Sequence, residues 1–112
     1  MDTYYDPADL ARFPEIGEHA SELAAKFFDW YGAVFRDGAL SAREKSLIAL
    51  GVAHAVQCPY CIDAYTQDAL SKGCDREQLT EAVHVAAAIK GGSALVHGVQ
   101  MRKVAGKLEM GT

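Results

Sequence analysis

The chain has 112 residues, half of them hydrophobic, and a formal net charge of −4. That charge and a pI near 5.5 exclude the basic stripe of a nucleic-acid-binding protein. No apolar run approaches the roughly 20 residues of a membrane span, and the N-terminus has no signal-peptide pattern. The sequence predicts a single cytoplasmic domain over residues 1–112, with its core at about 20–108.

The predicted elements are all helical, because no sustained alternation of apolar and polar residues occurs. A short turn is predicted at 7–13. Apolar residues at helical spacing predict a long helix at about 15–36, with Gly38 as its cap. A capping-box pattern at 41–44 begins the next helix, which runs to about Gln57. Because that helix is apolar nearly all round, we expect it to be central and buried.

The following helix begins at a cysteine. Cys58 takes the N-cap position and Pro59 the first helical position, where a missing N–H costs nothing. This helix is predicted to end near Lys72, with Gly73 as its cap.

Two more helices complete the prediction. A second box pattern at 75–78 begins a helix through about Lys90, and the glycine pair at 91–92 breaks it. A last helix covers about 93–108, followed by a frayed tail at 109–112. The sum is an all-α bundle of five or six helices. Its surplus of apolar residues predicts a homo-oligomer.

The Cys-x-x-Cys motif of Cys58 and Cys61 is the strongest chemical signal in the chain. Such a pair closes a disulfide, shares a metal, or divides a thiol reaction between two sulfurs. Helix electrostatics alone favour Cys58 as the more acidic thiol, because it stands at the cap. His54 is the single polar residue of the run 47–56 and lies one turn before Cys58. Histidine has a pKa suited to both proton donation and acceptance.

Three other interpretations of the motif must be weighed. Glutaredoxins share Cys-Pro-Tyr-Cys, but their fold needs a strand before the motif and a proline after it, and this chain has neither. Two cysteines that only pack are disfavoured by the helix N-terminus beneath them. A zinc site would need paired ligand units in a loop-rich segment, so we predict neither a metal nor a cofactor. Its ligands would be His54, Cys58 and Cys61, with His84 or His97 as the fourth.

Four segments within residues 40–100 carry a family resemblance: LSAREKSLIAL at 40–50, CPYCIDAYT at 58–66, EAVHVAAA at 81–88 and GGSALVH at 91–97. Together with Gly73 they resemble the alkylhydroperoxidase AhpD-like, carboxymuconolactone decarboxylase family. The resemblance implies an all-α fold that assembles as trimers or hexamers. It also implies a thiol peroxidase that reduces hydroperoxides and is recharged by a dithiol donor.

The resemblance also implies roles for the two sulfurs. In such peroxidases the second cysteine attacks the peroxide and the first resolves, so Cys61 would be peroxidatic and Cys58 resolving. Two residues depart from the family pattern. Ser46 stands where the family has a glutamate, and Tyr65 stands where it has a histidine. The candidate replacements in proton transfer are His54, Glu44 and Tyr65. Glu44 also fits a capping role, and Tyr65 also fits a packing role.

Two other functions stay open. One is a lactone decarboxylase, which would not need the thiols. The other is not an enzyme but an oligomeric redox sensor or binding protein whose disulfide alters a partner surface. Cys74 is predicted to lie in a loop without a role, and His19 on the surface. His84 and His97, on the later helices, are predicted to face either the site or a subunit interface.

Overall fold

The computed structural model describes residues 5–111, and all regular structure in that range is helical. This confirms the predicted all-α fold. The elements are α1 (Asp9–Arg12), a 3₁₀ turn (Phe13–Gly17), α2 (Ser21–Val34), α3 (Ala42–Ala55), α4 (Pro59–Ser71) and α5 (Arg76–Gly111).

The second helix is shorter than predicted at both ends. Pro14 lies in the 3₁₀ turn that precedes it, so α2 begins at Ser21 rather than at 15. Gly38 does not cap it, because the Gly38 N–H donates to the carbonyl of Leu40. The helix end is covered instead by the Nζ of Lys45, which donates to the carbonyls of residues 34 and 36 at 2.8 and 2.6 Å.

The third helix begins with the predicted capping box. The backbone N–H of Glu44 donates to Ser41 Oγ at 3.0 Å, and a Glu44 carboxylate oxygen accepts the Ser41 N–H at 2.9 Å. Helix α3 is central, because it packs on both α4 and α5. Helix α3 is less buried in the single chain than predicted, because Ile48 and Val52 on one of its faces are exposed. Its buried residues are Ser46, Leu50 and Ala53.

The last helix is continuous for 36 residues. The predicted break at Gly91 and Gly92 was therefore wrong. A glycine inside a helix costs only about 1 kcal/mol relative to alanine, and the alanine-rich residues on either side sustain the helix through it. The predicted frayed tail was also wrong for residues 109–111, which are helical, and Thr112 lies outside the described residues.

The single chain is extended, and much of α5 projects from it. The radius of gyration is 19.7 Å, whereas a compact chain of this length is expected at about 13 Å. The accessible surface of 8754 Å² exceeds the roughly 6000 Å² expected for this mass. Apolar side chains of α5 account for part of the excess; Leu95, for example, is 80% exposed. Monomeric soluble proteins rarely expose an apolar surface of this extent.

By length and composition alone, α5 also meets the criterion for a helix that crosses a membrane. Core helices of soluble proteins also have this length and composition. The described residues 5–111 contain this one such helix.

Candidate functional site

The site is built on the junction between α3 and α4. The N–H of Cys58 donates to the carbonyl of Ala53 at 3.0 Å, and the N–H of Gln57 donates to that of His54 at 3.2 Å. These two bonds form a Schellman motif, which requires a left-handed residue after the helix. Gln57 takes that conformation with φ of +58°. The chain therefore reverses within two residues, and Cys58 becomes the N-cap of α4.

The two sulfurs of the motif face each other. Cys58 and Cys61 are both unbridged and half-buried, and their Sγ atoms lie 2.6 Å apart. The Cys58 Sγ also accepts the backbone N–H of Cys61 at 3.2 Å, which is the N-cap bond of α4. The sulfurs are farther apart than the roughly 2.05 Å of a disulfide, so a disulfide can form with little backbone movement.

The two sulfurs have different electrostatic surroundings. Burial, followed by the neighbouring Cys58 sulfur, raises the pKa of Cys61 to about 11. The Cys58 sulfur instead receives a backbone N–H at the positive end of a helix dipole, which favours negative charge. At neutral pH Cys61 therefore holds its proton. It must transfer that proton before it can act as a nucleophile.

Two cavities reach the sulfurs from different sides. The first, of about 310 Å³, is lined by Cys58 and Cys61 together with α1 residues, Tyr31 and Tyr60. The second, of about 400 Å³, is lined by Cys61 without Cys58 and has mostly apolar walls from α2 and α3. Tyr31 lines both cavities, and Tyr65 lines the second. A larger groove of about 560 Å³ between α3 and α5 contains no cysteine or histidine.

An aromatic cluster supports the second cavity. The hydroxyls of Tyr31 and Tyr65 are hydrogen-bonded to each other. The ring of Phe35 stacks on Tyr65 with centroids 5.1 Å apart and also contacts Tyr31 at 5.0 Å. Burial first, and then negative charge on Cys61 and Cys58, raises the pKa of Tyr31. Tyr31 therefore stays a neutral hydroxyl that can donate a hydrogen bond.

The N-terminal segment covers the first cavity. The Tyr60 hydroxyl donates to Asp9 Oδ2 at 2.8 Å, and the Tyr5 hydroxyl donates to Asp63. Asp9 and Leu10 line the cavity beside the sulfurs. These contacts hold α1 against the first turns of α4.

Not all the predicted proton-transfer residues contact the sulfurs. His54 is half-buried, and its Nδ1–H donates to the carbonyl of Leu50 at 2.9 Å, which leaves Nε2 as the basic nitrogen. Within residues 5–111 no hydrogen bond joins His54 to either sulfur. Glu44 is exposed, and its bonds to Ser41 lower its pKa, so it is an ionised cap residue. Ser46 is fully buried and donates its hydroxyl to the carbonyl of Arg43 at 2.6 Å.

The remaining candidates lie apart from the sulfurs or make no metal site. His19, His84 and His97 are exposed, whereas Cys74 is buried. Among residues 5–111, no group of three or more His, Cys, Asp or Glu side chains is placed to hold a metal ion. The four-ligand zinc alternative therefore has no support in this part of the chain.

Tyr31 lies at the site, although the sequence pattern does not mark it as a functional residue. The sequence places it in an apolar helix face, where a tyrosine counts as a packing residue. The signal was available in part, because Phe27, Tyr31 and Phe35 recur every four residues and only Tyr31 carries a hydroxyl. The spacing does not predict that the hydroxyl of Tyr31 bonds that of Tyr65, which lies 34 residues away.

A family model and solved structures to which this chain is similar belong to the same family. The model of the carboxymuconolactone decarboxylase family matches residues 21–102. A protein of the cox locus of Paracoccus denitrificans, itself uncharacterized, is 38% identical over 91 residues, which cover 81% of this chain and 82% of that protein.

Three solved structures have the same fold. A protein from Methanobacterium thermoautotrophicum is 36% identical with a TM-score of 0.72, over 75% of this chain and 94% of its own. A carboxymuconolactone decarboxylase family protein from Legionella pneumophila is 34% identical with a TM-score of 0.64, over 82% and 80%. A family protein from Thermotoga maritima, named for a possible involvement in antioxidative response, is 25% identical with a TM-score of 0.68, over 93% and 87%.

Proposed function

Since this chain belongs to the carboxymuconolactone decarboxylase family, we propose that its Cys-x-x-Cys pair makes it a thiol-dependent peroxidase of the alkylhydroperoxidase type. The observation that carries the proposal is the approach of the Cys58 and Cys61 Sγ atoms to 2.6 Å beneath two cavities. The similarity to a Thermotoga protein named for a possible antioxidative role adds support.

The chemistry divides between the two sulfurs. The Cys61 proton passes to the Cys58 sulfur across their short contact, which gives a Cys61 thiolate. That thiolate attacks the terminal oxygen of a hydroperoxide; the S–O bond forms as the O–O bond breaks, which gives a sulfenic acid and an alkoxide that takes up a proton to become the alcohol. The Cys58 sulfur then attacks the sulfenic acid, closes the disulfide and displaces the hydroxyl group as hydroxide. A dithiol reductant restores both thiols by exchange.

The proton-transfer residues are proposed on different grounds. Tyr65 lines the cavity that Cys61 lines, and its hydroxyl is hydrogen-bonded to that of Tyr31, so it belongs to the proton-transfer network at the site. The basic Nε2 of His54 is oriented by the bond from Nδ1 to Leu50, which suits a base that acts through water. The proposed role of Glu44 has no contact to support it beyond the capping box.

The proposed partners follow from the same chemistry. They are a hydroperoxide, a dithiol reductant and further copies of this chain, with the cytoplasm as the proposed location. The homo-oligomer is supported by the exposed apolar side chains of α5 and the excess surface of the single chain. The family resemblance favours a trimer or a hexamer.

The test is consumption of a hydroperoxide with dithiothreitol as the electron donor. We expect the wild-type protein to turn over and Cys61→Ser to be inactive. Cys74→Ala serves as the matched control, since it removes a thiol that lies apart from both cavities. Equal rates for the wild type and Cys61→Ser would contradict the proposal.

A lactone decarboxylase is the second candidate, and the family name is what favours it. That reaction does not use the thiols. Decarboxylation of a carboxymuconolactone that survives replacement of both Cys58 and Cys61 would establish it in place of the peroxidase. A disulfide-dependent change in assembly, without peroxide turnover, would instead indicate a redox sensor.

A further inference from the structure

Tyr31 lies between the two cavities of the site. Its ring comes from α2, whereas both sulfurs lie in the first turn of α4. It lines the cavity that contains both sulfurs and also the cavity that contains Cys61 alone. A group in this position can exchange a proton with either sulfur or with a substrate bound at Cys61.

The hydroxyl of Tyr31 is held by its neighbours. It is hydrogen-bonded to Tyr65, and the ring of Phe35 contacts both tyrosines. Two hydroxyls that share one hydrogen bond leave the second proton of the pair available to a third group, and this proton belongs to Tyr31 when Tyr65 is the donor. The raised pKa of Tyr31, caused by burial and by the nearby sulfurs, means that this proton is still present at neutral pH.

The peroxidase reaction needs such a proton. When a thiolate attacks an alkyl hydroperoxide, the oxygen that leaves is an alkoxide, which is a poor leaving group unless an acid protonates it. Ser46 does not supply an acid, because its hydroxyl donates to the carbonyl of Arg43 in its own helix. Glu44 is ionised in the capping box and exposed.

We propose that Tyr31 is the general acid for the departing alkoxide and that Tyr65 positions its hydroxyl; this inference rests on the proposed peroxidase function. As the S–O bond forms at Cys61 and the O–O bond breaks, the Tyr31 proton passes to the alkoxide and leaves a phenolate. The Cys58 thiol then returns a proton to that phenolate across the first cavity. The resulting Cys58 thiolate attacks the sulfenic acid, forms the disulfide and releases hydroxide, so that atoms and charge balance.

The experiment compares two oxidants that differ in their leaving group. tert-Butyl hydroperoxide releases an alkoxide, whereas peracetic acid releases acetate, which needs no proton. For Tyr31→Phe we expect kcat/KM to fall about a hundredfold with the alkyl hydroperoxide, a loss typical of a general acid. With peracetic acid we expect a change of less than about threefold, which also shows that the variant is folded.

Two further variants complete the test. Tyr65→Phe removes the positioning bond, so its loss should be smaller than that of Tyr31→Phe and confined to the alkyl hydroperoxide. Ser71→Ala is the control, because it removes an exposed hydroxyl of α4 that donates to the carbonyl of Asp68 outside both cavities.

Three outcomes would overturn the inference. An equal loss with both oxidants would make Tyr31 a structural residue, and no loss with either would remove it from the reaction. In both cases the peroxidase itself would stand. Inactivity of the wild-type protein toward both oxidants would overturn the proposed function, and the role of Tyr31 would fail with it.

Discussion

The α3–α4 and α4–α5 junctions contain the same type of turn, but they place their cysteines in different environments. Both α3 and α4 end in a Schellman motif in which a cysteine N–H closes the outer bond, to Ala53 in one case and Ala69 in the other. The cysteine is Cys58 in the first junction and Cys74 in the second. Cys58 is half-buried and lines the first cavity, whereas Cys74 is only 5% exposed.

The difference is set by which residue caps the next helix. In the first junction Cys58 is itself the N-cap, so its sulfur accepts a helix N–H. In the second junction the cap is Asp75, which exchanges two hydrogen bonds with Gln78 at 2.9 and 3.0 Å. Cys74 has no capping role and packs inside. In the first junction the cysteine itself is the N-cap, and in the second the N-cap is the residue after the cysteine. This shift of one residue puts Cys58 at the positive end of a helix dipole and leaves Cys74 buried and unreactive.

The largest effect expected from this comparison is on peroxide turnover. Cys58→Ser and Cys61→Ser each remove one half of the disulfide chemistry, so we expect losses of about a thousandfold or more in kcat/KM. Cys74→Ala should leave kcat/KM within about twofold and lower the free energy of unfolding by about 1 kcal/mol. Steady-state hydroperoxide consumption and urea unfolding measure the two quantities. Loss of turnover in Cys74→Ala would contradict the claim that only the cysteine of the first junction takes part in the reaction.

The next largest effect is expected on the rates at which iodoacetamide alkylates Cys58 and Cys61. Mass spectrometry of the modified peptides measures these rates. Because the pKa of Cys61 is raised to about 11, this thiol stays protonated at neutral pH and its alkylation rate should climb until about pH 11. At pH 7 we expect Cys58 to be modified at least about tenfold faster than Cys61.

The Cys58→Ser variant separates the two causes of the raised Cys61 pKa. Removal of the neighbouring sulfur should lower the pH midpoint for Cys61 alkylation, while burial should keep it above the ordinary value. A midpoint that does not move would show that Cys58 does not influence Cys61.

The sequence predicts local features of the fold better than distant ones. The capping box at Ser41, the N-cap at Cys58 and the cap at Gly73 each depend on residues within one turn, and all three are present. Gly38 is not the cap of α2, because the carbonyl at the end of that helix is bonded instead by Lys45, eleven residues further along the chain. The Tyr31–Tyr65 bond joins two helices, and neither helical spacing nor residue type specifies which faces meet.

A smaller effect, on stability, concerns the left-handed residue of the second junction. Gly73 has φ of +87°, and a Cβ there would meet no atom within 4 Å. The cost of Gly73→Ala is therefore the backbone conformation alone, about 1–2 kcal/mol in the free energy of unfolding. Urea denaturation measures it, and an unchanged midpoint would contradict it. Gly32→Ala, at an open and exposed position of α2, should not be destabilising and serves as the control.

The smallest effect is expected at the matching residue of the first junction. Gln57 holds φ of +58° with a side chain, which costs more than glycine would in the same place. Gln57→Gly relieves that cost but adds freedom to the unfolded chain, so we expect a net gain of only about 0.5 kcal/mol in urea denaturation. If the turn serves only to place Cys58 at the cap, the Cys58 alkylation rate should not change. A faster or slower rate in the more stable variant would show that the side chain of Gln57 acts on the sulfur, and that the two junctions differ by more than their caps.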